Sequence, residues 1–245
     1  MWYDVTVESI RRLVVFAAKR EVIMLRYSLK KLAKWTLVAL CAAALIALIA
    51  VLTPDDPAAS CLLAKPVIYL YPEKDTFVTV TLGCADDLTA SVPEYRGGWR
   101  VLARPDGTLT DLVDGGEYAS LFWEAEKPVR FDFSRGACVA GSETAAFLAD
   151  VLTQLGLNAA ERAEFLDYWL PRMEGNAYNL IAFQQDAYTA AAPLSISPAP
   201  DSVLRVFMAW TPLRAPVGIA PQDFAPFSRE GFAAVEWGGC EVAAP

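Results

Sequence analysis

The chain has 245 residues, a formal net charge of −8 and no histidine. Without an imidazole, Ser-His-Asp and Cys-His catalysis, histidine acid/base work and nearly all ordinary zinc or copper sites are excluded. The acidic balance argues against nucleic acid as a partner, because phosphates demand a basic surface, and neither a P-loop nor a G-x-S-x-G elbow is present.

Charge is divided unevenly along the chain. Residues 1–34 carry eight basic residues against Asp4, Glu8 and Glu21, a net of +5, and residues 35–54 carry none. The remainder holds 13 basic and 26 acidic residues, a net of −13. Twenty residues at helical rise measure about 30 Å, the thickness of a bilayer's hydrocarbon core. The expectation is a transmembrane helix, or uncleaved signal anchor, over 35–54, with membrane lipid as the partner of that segment. A basic, helical, cytoplasmic segment (1–34) precedes it; a linker (55–64) and an extracytoplasmic domain (65–242) follow. By the positive-inside rule the protein is single-pass in the cytoplasmic membrane, N-terminus inside and C-terminal domain outside. A start at Met24 with cleavage before Cys61 is the competing reading. The apolar run is longer than an ordinary signal h-region, and TPDDPAAS separates it from Cys61.

Cys61, Cys84, Cys138 and Cys240 lie beyond the run, an even number in a compartment that permits disulfides. KPVIYLY and TFVTVTL flank the turn-like PEKD and predict a hairpin. Extending its register sets Cys61 opposite Cys84 and leaves Cys138 for Cys240, with free, buried cysteines as the alternative. LTASVP, WRVLA and TLTDL continue the β pattern around a turn at Arg104-Pro105-Asp106-Gly107. YASLFWEA and PVRFDFS follow, the second with Val129, Phe131 and Phe133 alternating onto one face.

The period changes at Gly141. Ser142 to Leu155 reads as a helix ending at Gly156, and Asn158 with Glu161 forms a capping box for a second helix. That helix carries an apolar stripe of Phe165, Leu166, Trp169 and Leu170 and is limited by Pro171. AYNLIAF, VLRVFMAW and GFAAVEW then resume the β signal between prolines. The fold class expected is α+β: a single N-terminal transmembrane helix followed by a β-rich, sandwich-like domain with an inserted αα-hairpin.

The blocks KPVIYLYPEK, GWRVLARPDG, YASLFWEA, YWLPRME, RVFMAW and VEWGG, in this order, resemble a bacterial family of uncharacterised proteins. The resemblance spans about residues 65–239. It implies one intact, recurrent domain to which the N-terminal segment is an attachment, and it transfers neither activity nor site.

Carboxylates are the abundant candidates for chemistry. Glu124 and Glu126 alternate onto one strand face, roughly 6.5 to 7 Å apart, a spacing compatible with a glycosidase acid/base pair. Glu94 beside Tyr95 and Trp99, and Glu236 beside Trp237, have the aromatic neighbours of a sugar platform, with core packing the ordinary alternative. Asp86, Asp87, Asp106, Asp111 and Asp114 cluster near turns but match no calcium loop, so they read as turn formers. No metal site and no cofactor is called for. The functional expectation is a non-catalytic binding or interaction module of the bacterial cell envelope, with an envelope protein or a glycan as partner. The alternative is a carboxylate-dependent, carbohydrate-active or wall-modifying enzyme.

Overall fold

The structure, a computed structural model, describes residues 60–242. Strands β1 (Ser60–Tyr71), β3 (Leu88–Val92), β7 (Leu121–Pro128), β8 (Ala137–Ala140), β9 (Tyr178–Phe183), β11 (Ser202–Leu213) and β12 (Ala233–Glu241) build a seven-stranded sheet. Its order is β3-β7-β1-β12-β11-β9-β8. Strands β2 (Thr76–Leu82), β4 (Trp99–Ala103), β5 (Leu109–Asp111), β6 (Glu117–Tyr118) and β10 (Leu194–Ser197) build a five-stranded sheet ordered β10-β2-β4-β5-β6. Helices α1 (Thr144–Gln154) and α2 (Ala159–Met173) lie between β8 and β9, and a short α3 (Gln185–Ala191) follows β9.

The larger sheet is buried on both faces, which makes the domain three layers deep. On one face Ile68, Leu70, Leu121, Trp123 and Phe207 share a core with Val78, Val80, Trp99, Val101 and Leu109 of the smaller sheet. On the other, Val67, Tyr69, Val206, Met208, Val235 and Trp237 pack with Leu148, Val151 and Leu152 of α1 and Phe165, Trp169 and Met173 of α2. Close approach of α2 depends on Gly239 of β12. A Cβ on Gly239 would lie 2.5 Å from Trp169 Cζ2, so only a bare backbone leaves room for that indole.

The expected fold class is corrected here. Among the described residues no helix is long and apolar enough to cross a membrane, and the fold is a mixed, sheet-rich domain. The longest described helix, α2, has 15 residues and carries Glu161, Arg162, Glu164, Asp167 and Arg172. The apolar run 35–54 lies outside the described residues.

The expected hairpin of β1 with β2 does not form, because each strand joins a different sheet. β1 pairs antiparallel with β12 on one side and with β7 on the other, and β2 pairs with β4 and β10. The reason is burial: Val67, Ile68, Tyr69 and Leu70 are all inside, so β1 needs cover on both faces, as a central strand does. Pro72 to Asp75 therefore carries the chain from one sheet to the other. Without that hairpin the cysteine register fails as well, and Cys84 and Cys138 are free thiols. Cys240 is disulfide-bonded.

PVRFDFS, expected as a strand, leaves the ladder after Pro128, although Val129 stays buried. Helix α2 runs through Pro171 to Met173, and its Asn158–Glu161 capping box is present. Strands β11 and β12 are parallel neighbours, which requires a long crossover. Residues 214–232 supply it, with Phe224 edge-on to Phe183.

A first test follows from the thiols. Burial pushes the Cys84 thiol up and leaves it inert in the folded state. After denaturation without reductant, alkylation should label Cys84 and Cys138 and leave Cys240 disulfide-bonded. Recovery of a Cys138–Cys240 peptide by non-reducing mapping would contradict this.

Candidate functional site: a cleft of tyrosines and carboxylates

The cleft starts from two periodicities laid against each other. In β1, Val67, Tyr69 and Tyr71 share the face toward the helices because strand side chains repeat every two residues. On α2, Glu161, Glu164, Phe165 and Tyr168 share one face because helical neighbours recur three and four residues apart. Two strand residues advance about 6.8 Å and three helical residues about 4.5 Å, close enough for phenols and carboxylates to pair in register. Tyr71 donates from its hydroxyl to Glu161 Oε1 at 2.9 Å, and Tyr69 donates to Glu164 Oε2 at 2.5 Å. The two rings lie parallel, 3° apart in plane, with centroids 6.3 Å apart.

Glu161 is the fixed point of this wall. It is 1% exposed, and both of its oxygens are engaged. Asn158 N donates to Oε2 at 2.8 Å, the side-chain half of the capping box. Arg229, delivered by the β11–β12 crossover, closes a two-pronged guanidinium–carboxylate pair with it and also donates to the carbonyl of Gly156 at 3.1 Å. Such forks fix orientation as well as charge.

Lys65 stands one step farther along β1, at a bulge where the register to both neighbouring strands shifts. Its φ of 56° is left-handed, an uncommon conformation for a residue with a Cβ. Three contacts hold it there. Its backbone N–H donates to Glu124 Oε1 at 3.2 Å, its Nζ lies 3.3 Å from Glu164 Oε1, and the ammonium sits 5.3 and 5.9 Å from the ring centres of Phe122 and Tyr168.

The facing wall comes from the smaller sheet. The turn between β4 and β5 contributes Asp106, Gly107 and Thr108; β6 and the residue after it contribute Glu117, Tyr118 and Ala119. Gly107 has φ +90°, and a Cβ there would meet Tyr71 Cε1 at 2.9 Å, so this glycine lets the turn rest on the tyrosine ring. Asp106 Oδ1 accepts from Thr108 N at 2.9 Å, and that hydrogen bond holds its carboxyl below the usual range. Arg104 lies 3.4 Å from Glu117 Oε1. Together the walls enclose about 430 Å³, within the range of small-molecule sites.

Burial, and then the neighbouring Glu164, push the Tyr69 phenol up. Burial and the Glu161 charge push Tyr71 up to about 12. Both phenols are therefore protonated donors at any physiological pH. Below pH 10 they carry their protons in folded and unfolded chains alike; above it the unfolded chain ionises first, so folding stability falls as pH rises from 10 toward 12. Urea midpoints measured across that window should fall, and the fall should be shallower in Tyr69→Phe and Tyr71→Phe. An unchanged slope in both variants would refute the assignment.

The residues singled out from sequence are scattered. Glu124 lies at the Lys65 bulge, while Glu126 is exposed on the same strand face. Trp99 and Trp237 are 1% and 0% exposed, so neither offers a face to a ligand. Tyr95 packs edge-on against Trp99, and its hydroxyl accepts from Leu82 N at 3.0 Å. Glu94 pairs with Arg96 at the surface. Glu236 is buried in an ion pair with Arg205, 2.6 Å between Oε2 and Nε, and accepts from Trp123 Nε1 at 3.1 Å. The cleft residues Tyr69, Tyr71, Glu117, Tyr118 and Glu164 were not recognised in the sequence; the alternation of Tyr69 and Tyr71 was the one visible signal.

Comparison with known proteins adds little. No family model matches the chain, and no solved structure matches it. A Butyrivibrio fibrisolvens protein described as "Uncharacterized protein in bglA 3'region" is 42% identical over 65 residues. The match covers 25% of this chain and 66% of that relative, just short of two thirds of its length.

Proposed function

We propose that this protein is a non-catalytic binding module of the bacterial cell envelope, with the cleft between α2 and the β4–β5 turn as its binding site. The observation that carries the reading is the state of Glu161. Its two oxygens accept four hydrogen bonds, from Tyr71, Asn158 and twice from Arg229, which leaves no acceptor position open toward a substrate. A general acid or base must exchange a proton with the substrate, whereas a scaffold carboxylate orients donors. Tyr71 and Tyr118, both half-buried, supply ring surface, the equipment of recognition. The charge asymmetry about residues 35–54, with +5 before them and −13 after, supports an envelope location.

A carbohydrate-active enzyme is the second reading, because Glu124 and Glu164 come from different elements and meet at Lys65, one at its backbone N–H and one at its ammonium. One experiment separates the two. The full chain, incubated with isolated envelope polymers and with aryl glycosides, should be retained on the polymers without releasing product. Product release abolished by Glu124→Gln or Glu164→Gln would replace the binding module with the enzyme.

A further inference from the structure

We infer that the ligand of this cleft is an uncharged saccharide chain, an inference that rests on the binding-module reading and narrows it. Four carboxylates line the cleft: Asp106, Glu117, Glu161 and Glu164. Alone they would select a cation, but three are already matched. Glu117 has Arg104 at 3.4 Å, Glu161 has the Arg229 fork, and Glu164 has Lys65 at 3.3 Å. A polyamine or a lysine-rich peptide would have to compete with these internal partners. An anionic polymer would face Asp106 and Glu117, both exposed on the outer wall, and no lysine or arginine is among the described residues that line the cleft.

What the cleft does present is hydrogen-bonding polarity beside aromatic surface. Glu117, held by Arg104, and Glu164, held by Lys65, remain acceptors for ligand hydroxyls on their open sides, since an ionised carboxylate offers about four lone-pair positions. Tyr118 is half-buried at the rim, and its hydroxyl is tethered to Asp114 Oδ2 at 2.8 Å, which fixes the ring at the mouth. Tyr71 lies deeper, pinned between Gly107 and the guanidinium of Arg229, 5.5 Å from the ring centre. Rigid aromatic rings next to balanced, fixed acceptors suit a ligand with apolar C–H faces and many hydroxyls, which is the chemistry of a neutral sugar.

The test uses the full chain in detergent and defined hexasaccharides: cellohexaose, xylohexaose, maltohexaose and chitohexaose, with hexalysine and polygalacturonate as charged comparators, followed by calorimetry. Saturable binding of at least one neutral hexasaccharide is expected, weakened about tenfold by Tyr118→Ala and by Glu117→Gln. Glu117 is exposed and Tyr118 half-buried at the rim, and thermal melting checks that both variants keep their fold. Tighter binding of hexalysine or polygalacturonate, no binding of any neutral chain, or sugar binding that both variants leave intact would each overturn the inference. Retention on envelope polymers without affinity for any neutral saccharide would reject this inference while sparing the binding module; loss of both would reject both.

Discussion

Replacing Arg205 with alanine should destabilise the domain by about 3–5 kcal/mol, the cost of leaving one partner of a buried ion pair without the other. Arg205 and Glu236 are direct neighbours across the parallel β11–β12 pair, and their side chains are 9% and 1% exposed. The guanidinium also lies over the Tyr188 ring, 4.6 Å from its centre, and Tyr188 stacks on Phe207 at 4.2 Å. Removing the arginine therefore strands a carboxylate inside the layer between the two sheets. The double replacement Arg205→Met with Glu236→Leu should recover much of the loss, since apolar residues of similar volume tolerate that environment. Recovery should be incomplete, because Trp123 Nε1 loses its acceptor and an unsatisfied buried donor costs about 1–3 kcal/mol. Urea unfolding of the two variants beside the parent measures all of this. A loss below about 1 kcal/mol for Arg205→Ala would mean that the pair behaves like a solvated surface contact.

The second large effect is expected at Trp237. Its indole is 0% exposed and meets Phe165 of α2 edge-on, ring centres 5.2 Å apart. Trp237→Ala should cost about 3–5 kcal/mol through lost burial and the cavity left behind. It should also loosen α2 over β1, and with it the Tyr69–Glu164 and Tyr71–Glu161 pairs, so ligand binding should weaken in the same variant. Val217→Ala, at an exposed position on the crossover, provides the contrast and should stay within about 0.5 kcal/mol of the parent. Equal stability of the two variants would refute the role given to Trp237.

Local signals in the sequence led to the right elements where the physics is local. The Asn158–Glu161 capping box needs only four residues, and the α1–α2 hairpin forms where the helical period begins. The β1–β2 hairpin failed because PEKD is turn-like in either of two roles, reversing the chain within one sheet or carrying it to another. The deciding observation was available in KPVIYLY itself. A hairpin strand open on one face alternates apolar and polar residues, and Val67 to Leu70 do not. The expected transmembrane helix falls on residues 35–54, outside the described structure, and no described helix takes that role. The cleft was hidden for a different reason. Tyr71 is 90 residues from Glu161, Tyr69 is 95 from Glu164, and Arg229 is 68 from Glu161; no spacing rule joins groups so distant in the chain. Glu161 was recognised as a cap, and its second duty toward Tyr71 and Arg229 has no local signature. The aromatic-flanked glutamates misled because Trp99 and Trp237 serve the core, the ordinary fate of tryptophan in a layered domain.

The central claim, that the cleft is the surface this protein uses, is tested most directly by photo-crosslinking in intact cells. A photoreactive amino acid placed at Ala119 or at Ala160, both on the cleft wall and exposed, should give a reproducible adduct on irradiation. The same group at Val217, 46% exposed, should not. Adducts of equal yield from all three positions, or none from Ala119 and Ala160, would contradict it.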